Sequence, residues 1–264
     1  MRKERIDKLL LERGLVENRT RAQALILAGQ VLVEEQRIDK PGQMVPSSAE
    51  IRVKGEPPRY VSRGGVKLEA ALRDFKIDPD GKTCVDVGAS TGGFTDCLLQ
   101  HGAARVWALD VGHNQLAWRL RQDRRVEVIE GLNIRKVDLA TFPTQFDIAT
   151  IDVSFISLTK VLPVVRNLVA EFADCVALVK PQFEVGKGEV GRRGIVTDAR
   201  KHRSVLLEIA AVAAALNFQP MDTIQSPILG AEGNREFLLH LRRVNHSVSL
   251  AASLHQKIEF LTPV

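Results

Sequence analysis

Thr83-Cys84-Val85-Asp86-Val87-Gly88-Ala89-Ser90-Thr91-Gly92-Gly93-Phe94-Thr95-Asp96-Cys97-Leu98-Leu99 is the stretch that decides the fold. The run Thr83–Val87 is mostly apolar and β-branched, which predicts a buried strand. Glycines at 88, 92 and 93 then turn the chain into a helix opening near Phe94. Glycine lets a backbone approach a ligand closely, and a helix N-terminus offers unpaired N–H groups. A dinucleotide-binding turn reads G-x-G-x-x-G. Here an acid, Asp86, precedes the first glycine instead. A carboxylate at that place repels a pyrophosphate but suits the ammonium and sulfonium of S-adenosylmethionine. The next strand, Ala104 to Asp110, ends on a second acid, Asp110, placed to hold both ribose hydroxyls. Two acid-ended strands in one β-α-β frame favour a methyl donor; a Rossmann turn without one stays the alternative. The donor set read in this way is Asp86, Gly88, Ala89, Ser90, Thr91, Gly92, Gly93, Phe94, Asp110 and Val111. Asn133 follows the third strand, where adenine-edge contacts arise.

The alternation continues outward. Strands are predicted at 83–87, 105–109, 126–129, 147–151, 174–180, 219–225 and 236–242. Helices fall near 94–101, 114–121, 158–170 and 200–216. Repeated strand–helix alternation implies an α/β, Rossmann-like fold, a mostly parallel seven-stranded sheet covered on both faces. Upstream, Lys54 to Gly65 holds two prolines and three glycines. It reads as loop, with 59–65 linking an N-terminal α/β unit (1–58) to a second domain (66–264) whose first helix starts at Val66.

With 264 residues, 45% apolar and 26% charged, the chain has room for two domains and an ordinary soluble core. Its charge is uneven. Residues 1–67 carry 14 Lys/Arg against 9 Asp/Glu, whereas the rest carries 23 of each, so the whole net charge of +5 lies in the first quarter. Such asymmetry suits an acidic partner, nucleic acid being the commonest, against the plainer reading of a solvated basic face. Cys84, Cys97 and Cys175 form no C-x-x-C pair, which fits a cytoplasmic protein with buried thiols better than a disulfide scaffold or zinc site. The six histidines are dispersed, so no metal cluster is expected. No secretion signal is read at the N-terminus, and the longest apolar helix, 204–218, is interrupted by Glu208 and too short to span a bilayer.

The first unit reads as two short helices and a hairpin. Arg5 to Gly14 is amphipathic and stopped by glycine; Asn18 caps a second helix over Ala22 to Ala28, before Gly29. Arg19 and Arg21 flank that cap, while Arg2, Lys3, Arg5 and Lys8 crowd the first helix, a grouping that suits phosphate. The segments R-I-D-K-L-L-L-E-R-G-L-V (5–16) and N-R-T-R-A-Q-A-L-I-L-A-G-Q-V-L-V (18–33) are similar to the αL RNA-binding domain first described in a small-subunit ribosomal protein. The resemblance covers roughly residues 5–52 and implies binding of structured RNA through shape and phosphate contacts.

In open α/β sheets, ligands sit beyond the carboxyl ends of the strands. Asp86, Asp110, Asp152 and Lys180 all fall there. Lys67 opens the first helix of the second domain, and Glu236 begins the last strand. A lysine between an apolar strand and Pro181 is placed to become a general base, with Asp152 holding it, or to be a structural ion pair. The order of S-R-G-G-V-K-L-E-A-A-L (62–72), D-V-G-A-S-T-G-G-F-T-D-C-L-L (86–99), A-L-D-V-G (108–112), I-D-V-S-F-I-S-L (151–158), L-V-K-P-Q-F-E (178–184) and G-N-R-E-F-L (233–238) resembles the TlyA family. These are ribosomal RNA ribose 2′-O-methyltransferases, often labelled haemolysin A, whose catalytic half is similar to the FtsJ/RrmJ enzymes. The resemblance implies a Lys-Asp-Lys-Glu tetrad on Lys67, Asp152, Lys180 and Glu236. It also implies S-adenosylmethionine as cofactor, ribosomal RNA or subunits as partner, a cytidine target, and no metal.

A ribose 2′-hydroxyl is a poor acid, so a base and in-line placement are what such a reaction needs. On that reading Lys180 takes the proton or orients the hydroxyl, kept partly neutral by Lys67 and desolvation, while Asp152 and Glu236 fix the lysines. The glycine-rich basic segment 186–194, with Arg192 and Arg193, would close over a flipped-out nucleotide or be a surface loop. Arg59, Tyr60 and Arg63 would contact RNA or dock the two domains. Two other classes stay open: an RNA-binding or ribosome-assembly factor without turnover, and a membrane-lytic protein. Neither a spanning segment nor a basic membrane-lying helix favours the latter.

Overall fold

The computed structural model describes residues 3–16, 18–55, 58–142, 145–186, 188–246 and 248–263, with Arg192 and Ala231 described by their backbone alone. The chain divides into two compact units, Met1–Arg59 and Tyr60–Val264.

In the first unit, β1 (Lys3–Arg5) pairs antiparallel with β4 (Met44–Pro46), and β2 (Val31–Val33) lies between β3 (Gln36–Ile38) and β5 (Ile51–Val53). Helices α1 (Ile6–Glu12) and α2 (Arg19–Leu27) cover them. Asn18 caps α2, its side chain accepting from Arg21 N at 2.8 Å. Both helices are too short to persist alone. They are held by burial of Ile6, Leu10 and Ile26 at zero exposure, each worth about 1.5–3 kcal/mol.

The second unit opens with α3 (Gly64–Phe75) and then alternates: β6 (Thr83–Val87), α4 (Gly93–Gln100), β7 (Arg105–Leu109), α5 (Trp118–Arg121), β8 (Val126–Ile129), β9 (Phe146–Ile151), α6 (Leu162–Leu168), β10 (Val169–Val179), α7 (Pro181–Glu184), α8 (Ala199–Ala215), β11 (Phe218–Gln225), β12 (Phe237–Arg243) and α9 (Ala252–Leu261). The strands form one sheet in the order β11-β12-β10-β9-β6-β7-β8. All strands but β12 point the same way. The strand order reverses between β6 and β9, so a crevice opens beyond their carboxyl ends. Two apolar layers sandwich the sheet, one including Leu162, Val165, Leu206 and Ile209, the other Leu68, Leu72, Cys97 and Leu98. All three cysteines are buried and none is in a disulfide. No helix among the described residues is long and apolar enough to cross a membrane.

Several expectations need correction. Residues 60–65 are no linker. Tyr60 and Val61 are buried in the second unit's core, and α3 begins at Gly64, not Val66. The glycines there are not helix breakers. A Cβ on Gly65 would lie 2.2 Å from Tyr60 Cγ, so the bare backbone is what admits the tyrosine ring. The helix expected over 114–121 shrinks to α5, because Asn114 turns left-handed at φ 57°. The helix expected to run to 170 stops at Leu168, where β10 begins early and carries an irregularity between Val169 and Asp174.

Candidate active site

The turn after β6 is built around one close approach. Gly88 has φ 88°, and a Cβ there would sit 2.4 Å from the Asp152 carbonyl oxygen. The ends of β6 and β9 therefore touch through a position only glycine can fill. Beyond them lie two cavities that share Gly88, Ser90 and Asp152. The larger, about 410 Å³, is lined by Asp110, Val111, Leu132, Asn133, Ile134 and Phe155 among others. Such a volume suits a small-molecule site. The smaller, about 270 Å³, is lined by Ser62, Arg63, Gly64, Lys67, Ala89, Thr91, Gly93 and Phe94 as well as the shared residues.

Asp110 follows β7 and is locked by two backbone donors, Ser90 N to Oδ2 and Gly112 N to Oδ1, both at 2.7 Å. Its carboxylate thus has a fixed direction at the larger cavity. Asn133 lines the same cavity, with Oδ1 accepting from Arg135 N at 3.1 Å. Two members of the expected donor set lie elsewhere. Gly92 lines neither cavity; a Cβ there would meet Leu120 and Leu116. Asp86 lines neither as well. It is sealed at zero exposure, accepting from Thr95 Oγ1 at 2.7 Å and Thr150 Oγ1 at 3.0 Å.

The four residues of the expected tetrad form two ion pairs, each with one member, Lys67 or Asp152, on the wall of the smaller cavity. Lys67, on α3, donates to Glu236 Oε2 at 2.5 Å; both are buried. Glu236 is backed by Gly230, where a Cβ would lie 2.0 Å from its Oε1. Lys180 follows β10 and pairs with Asp152 Oδ1 at 2.6 Å, also donating to Ser154 Oγ at 2.9 Å. Lys67, Asp152 and Gly230 all line this cavity. Residues separated by up to 169 positions thus meet around one space. Among the described residues no cluster of His, Cys, Asp and Glu could hold a metal ion.

Two features escaped sequence reasoning. Ser62 and Gly64 join the cavity wall, and Arg63 with them, so the segment read as a linker belongs to the site. Phe155 is 90% exposed with φ 62°, its ring 4.9 Å from that of Phe183. Lys180 Nζ lies 5.9 Å from the Phe183 centroid. A bulky residue held left-handed and bare to solvent is a strained arrangement of the sort found at functional sites. Neither an I-D-V-S-F pattern nor hydropathy signals that backbone.

The basic residues expected to meet RNA are less uniform than expected. Asp7 is fully buried, and Arg5 clasps it through Nε and Nη2 at 3.0 and 2.9 Å, with Arg19 Nε at 2.9 Å. The Arg5 guanidinium first, then Arg19 and Gln23, holds the Asp7 carboxyl far below the usual range. These arginines are thus structural partners of a buried acid, though their side chains stay 44% and 55% exposed. Lys8 bridges Glu4 and Glu12 at 3.5 and 3.4 Å. Arg21, Arg59 and Arg193 are exposed. The side chain of Arg192, like Arg2 and Lys187, lies outside the described residues.

Comparison with known proteins identifies the family. The FtsJ-like methyltransferase family model matches residues 60–243, and the S4 domain model residues 4–51. A Bacillus subtilis protein carrying the provisional name rRNA methyltransferase YqxC is 52% identical over 91% of this chain and 86% of its own. The 16S/23S rRNA (cytidine-2′-O)-methyltransferase TlyA of Mycobacterium tuberculosis is 43% identical over 91% and 90%. A solved structure of a provisionally named hemolysin from Streptococcus thermophilus superposes with a TM-score of 0.76 at 42% identity, covering 99% of this chain and 96% of that one. With its two family matches and its likeness to TlyA across nearly its whole length, the chain belongs to the FtsJ-like methyltransferases, in the TlyA group that couples an S4 domain to an α/β catalytic unit.

Proposed function

We propose that the protein transfers a methyl group from S-adenosylmethionine to the 2′-hydroxyl of a cytidine in ribosomal RNA, acting on ribosomal subunits in the cytoplasm. The observation that carries this reading is the meeting of Lys67–Glu236 and Asp152–Lys180 at the cavity beside the glycine turn. The substrate class follows the names of relatives, which specify cytidine in 16S/23S rRNA for the Mycobacterium tuberculosis protein and in 23S rRNA for that of Campylobacter jejuni.

The cavities fit the donor. The fixed Asp110 carboxylate suits a ribose diol, and the apolar walls Leu132 and Ile134 suit a purine. When bound, S-adenosylmethionine supplies an electrophilic methyl on a sulfonium. The rest is done by this chain. Lys180, as the neutral amine, takes the 2′-hydroxyl proton as the oxygen–carbon bond forms and the methyl–sulfur bond breaks, or, as the ammonium, donates to that hydroxyl so that its lone pair points in line. Asp152 fixes the Lys180 nitrogen and holds the ammonium once the proton is taken, and Lys67 with Glu236 closes the far wall. Positioning of this sort supplies a large share of the rate. Phe155 offers its exposed face to the displaced base. Arg21 and the other exposed cations of the S4 unit meet RNA phosphates, as do Arg59, Arg192 and Arg193.

The direct test is tritiated methyl transfer to separate ribosomal subunits, followed by mapping of the blocked ribose. Label appearing on a base, or on no RNA at all, would overturn the reading. Two variants sharpen it. Asp110→Ala should weaken S-adenosylmethionine binding by about 10- to 150-fold in calorimetry, the loss of a hydrogen bond to a charged group. Phe155→Ala should lower kcat/KM for rRNA by about 5- to 150-fold, since a base–aromatic stack is worth about 1–3 kcal/mol. Because Phe155 also lines the larger cavity, donor affinity in that variant should fall too, but by less than kcat/KM for rRNA does.

A further inference from the structure

Asp86 is the one acid of the glycine turn with no place on a cavity wall. Its two hydrogen bonds from hydroxyls join three elements: β6, which carries it; α4, through Thr95; and β9, through Thr150, two residues before Asp152. Those elements frame the turn at which the donor is expected. The groups facing Asp86 are few. From α4 comes Thr95, followed by Asp96, whose carboxylate is occupied by Val61 N, Gln100 and Arg119. From β9 comes Thr150, and just past its end Asp152, paired with Lys180. The β7 residue in register is Ala108, and Cys84 lies on Asp86's own strand. Among the described residues no cation touches the Asp86 carboxyl, whose partners are the two threonine hydroxyls and the backbone N–H of Thr95, all neutral.

On the donor reading above, we infer that Asp86 is a positioning residue that tells donor from product by charge: it gives up a proton when the sulfonium enters the neighbouring cavity and recovers one when the neutral thioether is left. Only the Asp86 O–H bond is broken and remade, with the proton exchanged with solvent. The methyl and the 2′-hydroxyl proton follow their own course at Lys180. The physical basis is a balance. Burial disfavours the carboxylate, and the Asp152 charge adds to this, while the two threonine hydroxyls and the Thr95 backbone N–H favour it. The outcome is a carboxyl pushed up to about 7, where a nearby positive charge tips it. Reciprocity then requires donor affinity to rise with pH.

Calorimetric binding of S-adenosylmethionine and S-adenosylhomocysteine to the full chain, between pH 6 and 8 and in two buffers of different ionisation enthalpy, tests this. The wild type should bind the methionine form about tenfold more tightly at pH 8 than at pH 6, releasing a fraction of a proton near neutrality. The homocysteine form should show little of either. Asp86→Asn, neutral and of the same shape, should bind both ligands with that slope gone. Thr150→Val, which removes one bond to the carboxylate, should move the midpoint to higher pH. A flat profile in the wild type, a slope kept by Asp86→Asn, or an unmoved midpoint in Thr150→Val overturns the inference. Loss of both ligands by folded Asp86→Asn overturns it too, making Asp86 a direct ligand. If the wild type binds neither ligand at any pH, the donor reading itself falls. Ligand-free melting adds a check on the same residue. A carboxyl raised in the folded state gives stability that is complete below about pH 4 and lost as pH rises through about 7. The Tm of Asp86→Asn relative to wild type should therefore climb between those values and then level; an even offset overturns the inference.

Discussion

Lys180→Ala is expected to slow methyl transfer to rRNA by about 10²- to 10⁴-fold, the usual contribution of a positioned general base. Lys180 lines neither cavity, so affinity for S-adenosylmethionine should hold within a fewfold. RNA retention on filters should hold as well. Part of the loss will come from Asp152, which loses the cation at 2.6 Å. Groups that act as a unit show strong non-additivity. Lys180→Ala combined with Asp152→Asn should thus be little worse than Lys180→Ala alone. Turnover at the wild-type level in Lys180→Ala would remove the lysine from the chemistry and leave the pair as a structural cap on the sheet.

The second large effect concerns the S4 unit. Removing residues 1–59 should weaken rRNA binding by tenfold or more and flatten its salt dependence. If three or four phosphate contacts are lost, the slope of log K against log salt becomes shallower by roughly 2–4. Donor affinity should be untouched. The cut must fall no later than Arg59. Tyr60 is 2% exposed, inside the second unit's core, and deleting it would leave a cavity beside Gly65 worth several kcal/mol. Filter binding of intact and shortened protein across a salt series decides the matter. Equal affinity and equal slope would assign RNA recognition to the catalytic unit alone.

Most of the architecture is legible in local patterns. Strand–helix alternation, the acid-ended strands and the D-V-G-A-S-T-G-G turn identify the sheet, because parallel strands buried on both faces must be apolar runs. Asp152 and Lys180 are readable for the same reason: polar residues at the carboxyl ends of such runs point to one rim. What could not be read depends on distant partners. Thr95 and Thr150 reach Asp86 from 9 and 64 residues away, and their bonds to its buried carboxyl could not be foreseen. Arg5 and Arg19 also clasp the buried Asp7, a pairing that their sequence positions do not reveal. Segment 60–65 misleads by composition, since its glycines serve packing and not flexibility. The pairing of the lone tyrosine with Val61 was the available hint of burial.

The buried cysteines have a practical consequence. Burial pushes the Cys84 thiol up to about 12 and raises that of Cys175 as well, and Cys97 is equally enclosed. Thiolate is the reactive form, so native protein should resist maleimide and peroxide alike. A reporter cysteine can therefore be installed on an exposed site of each unit and dye-labelled selectively, without first stripping the chain of its natural sulfur. Distances between the S4 and catalytic units then become measurable by fluorescence while RNA is bound.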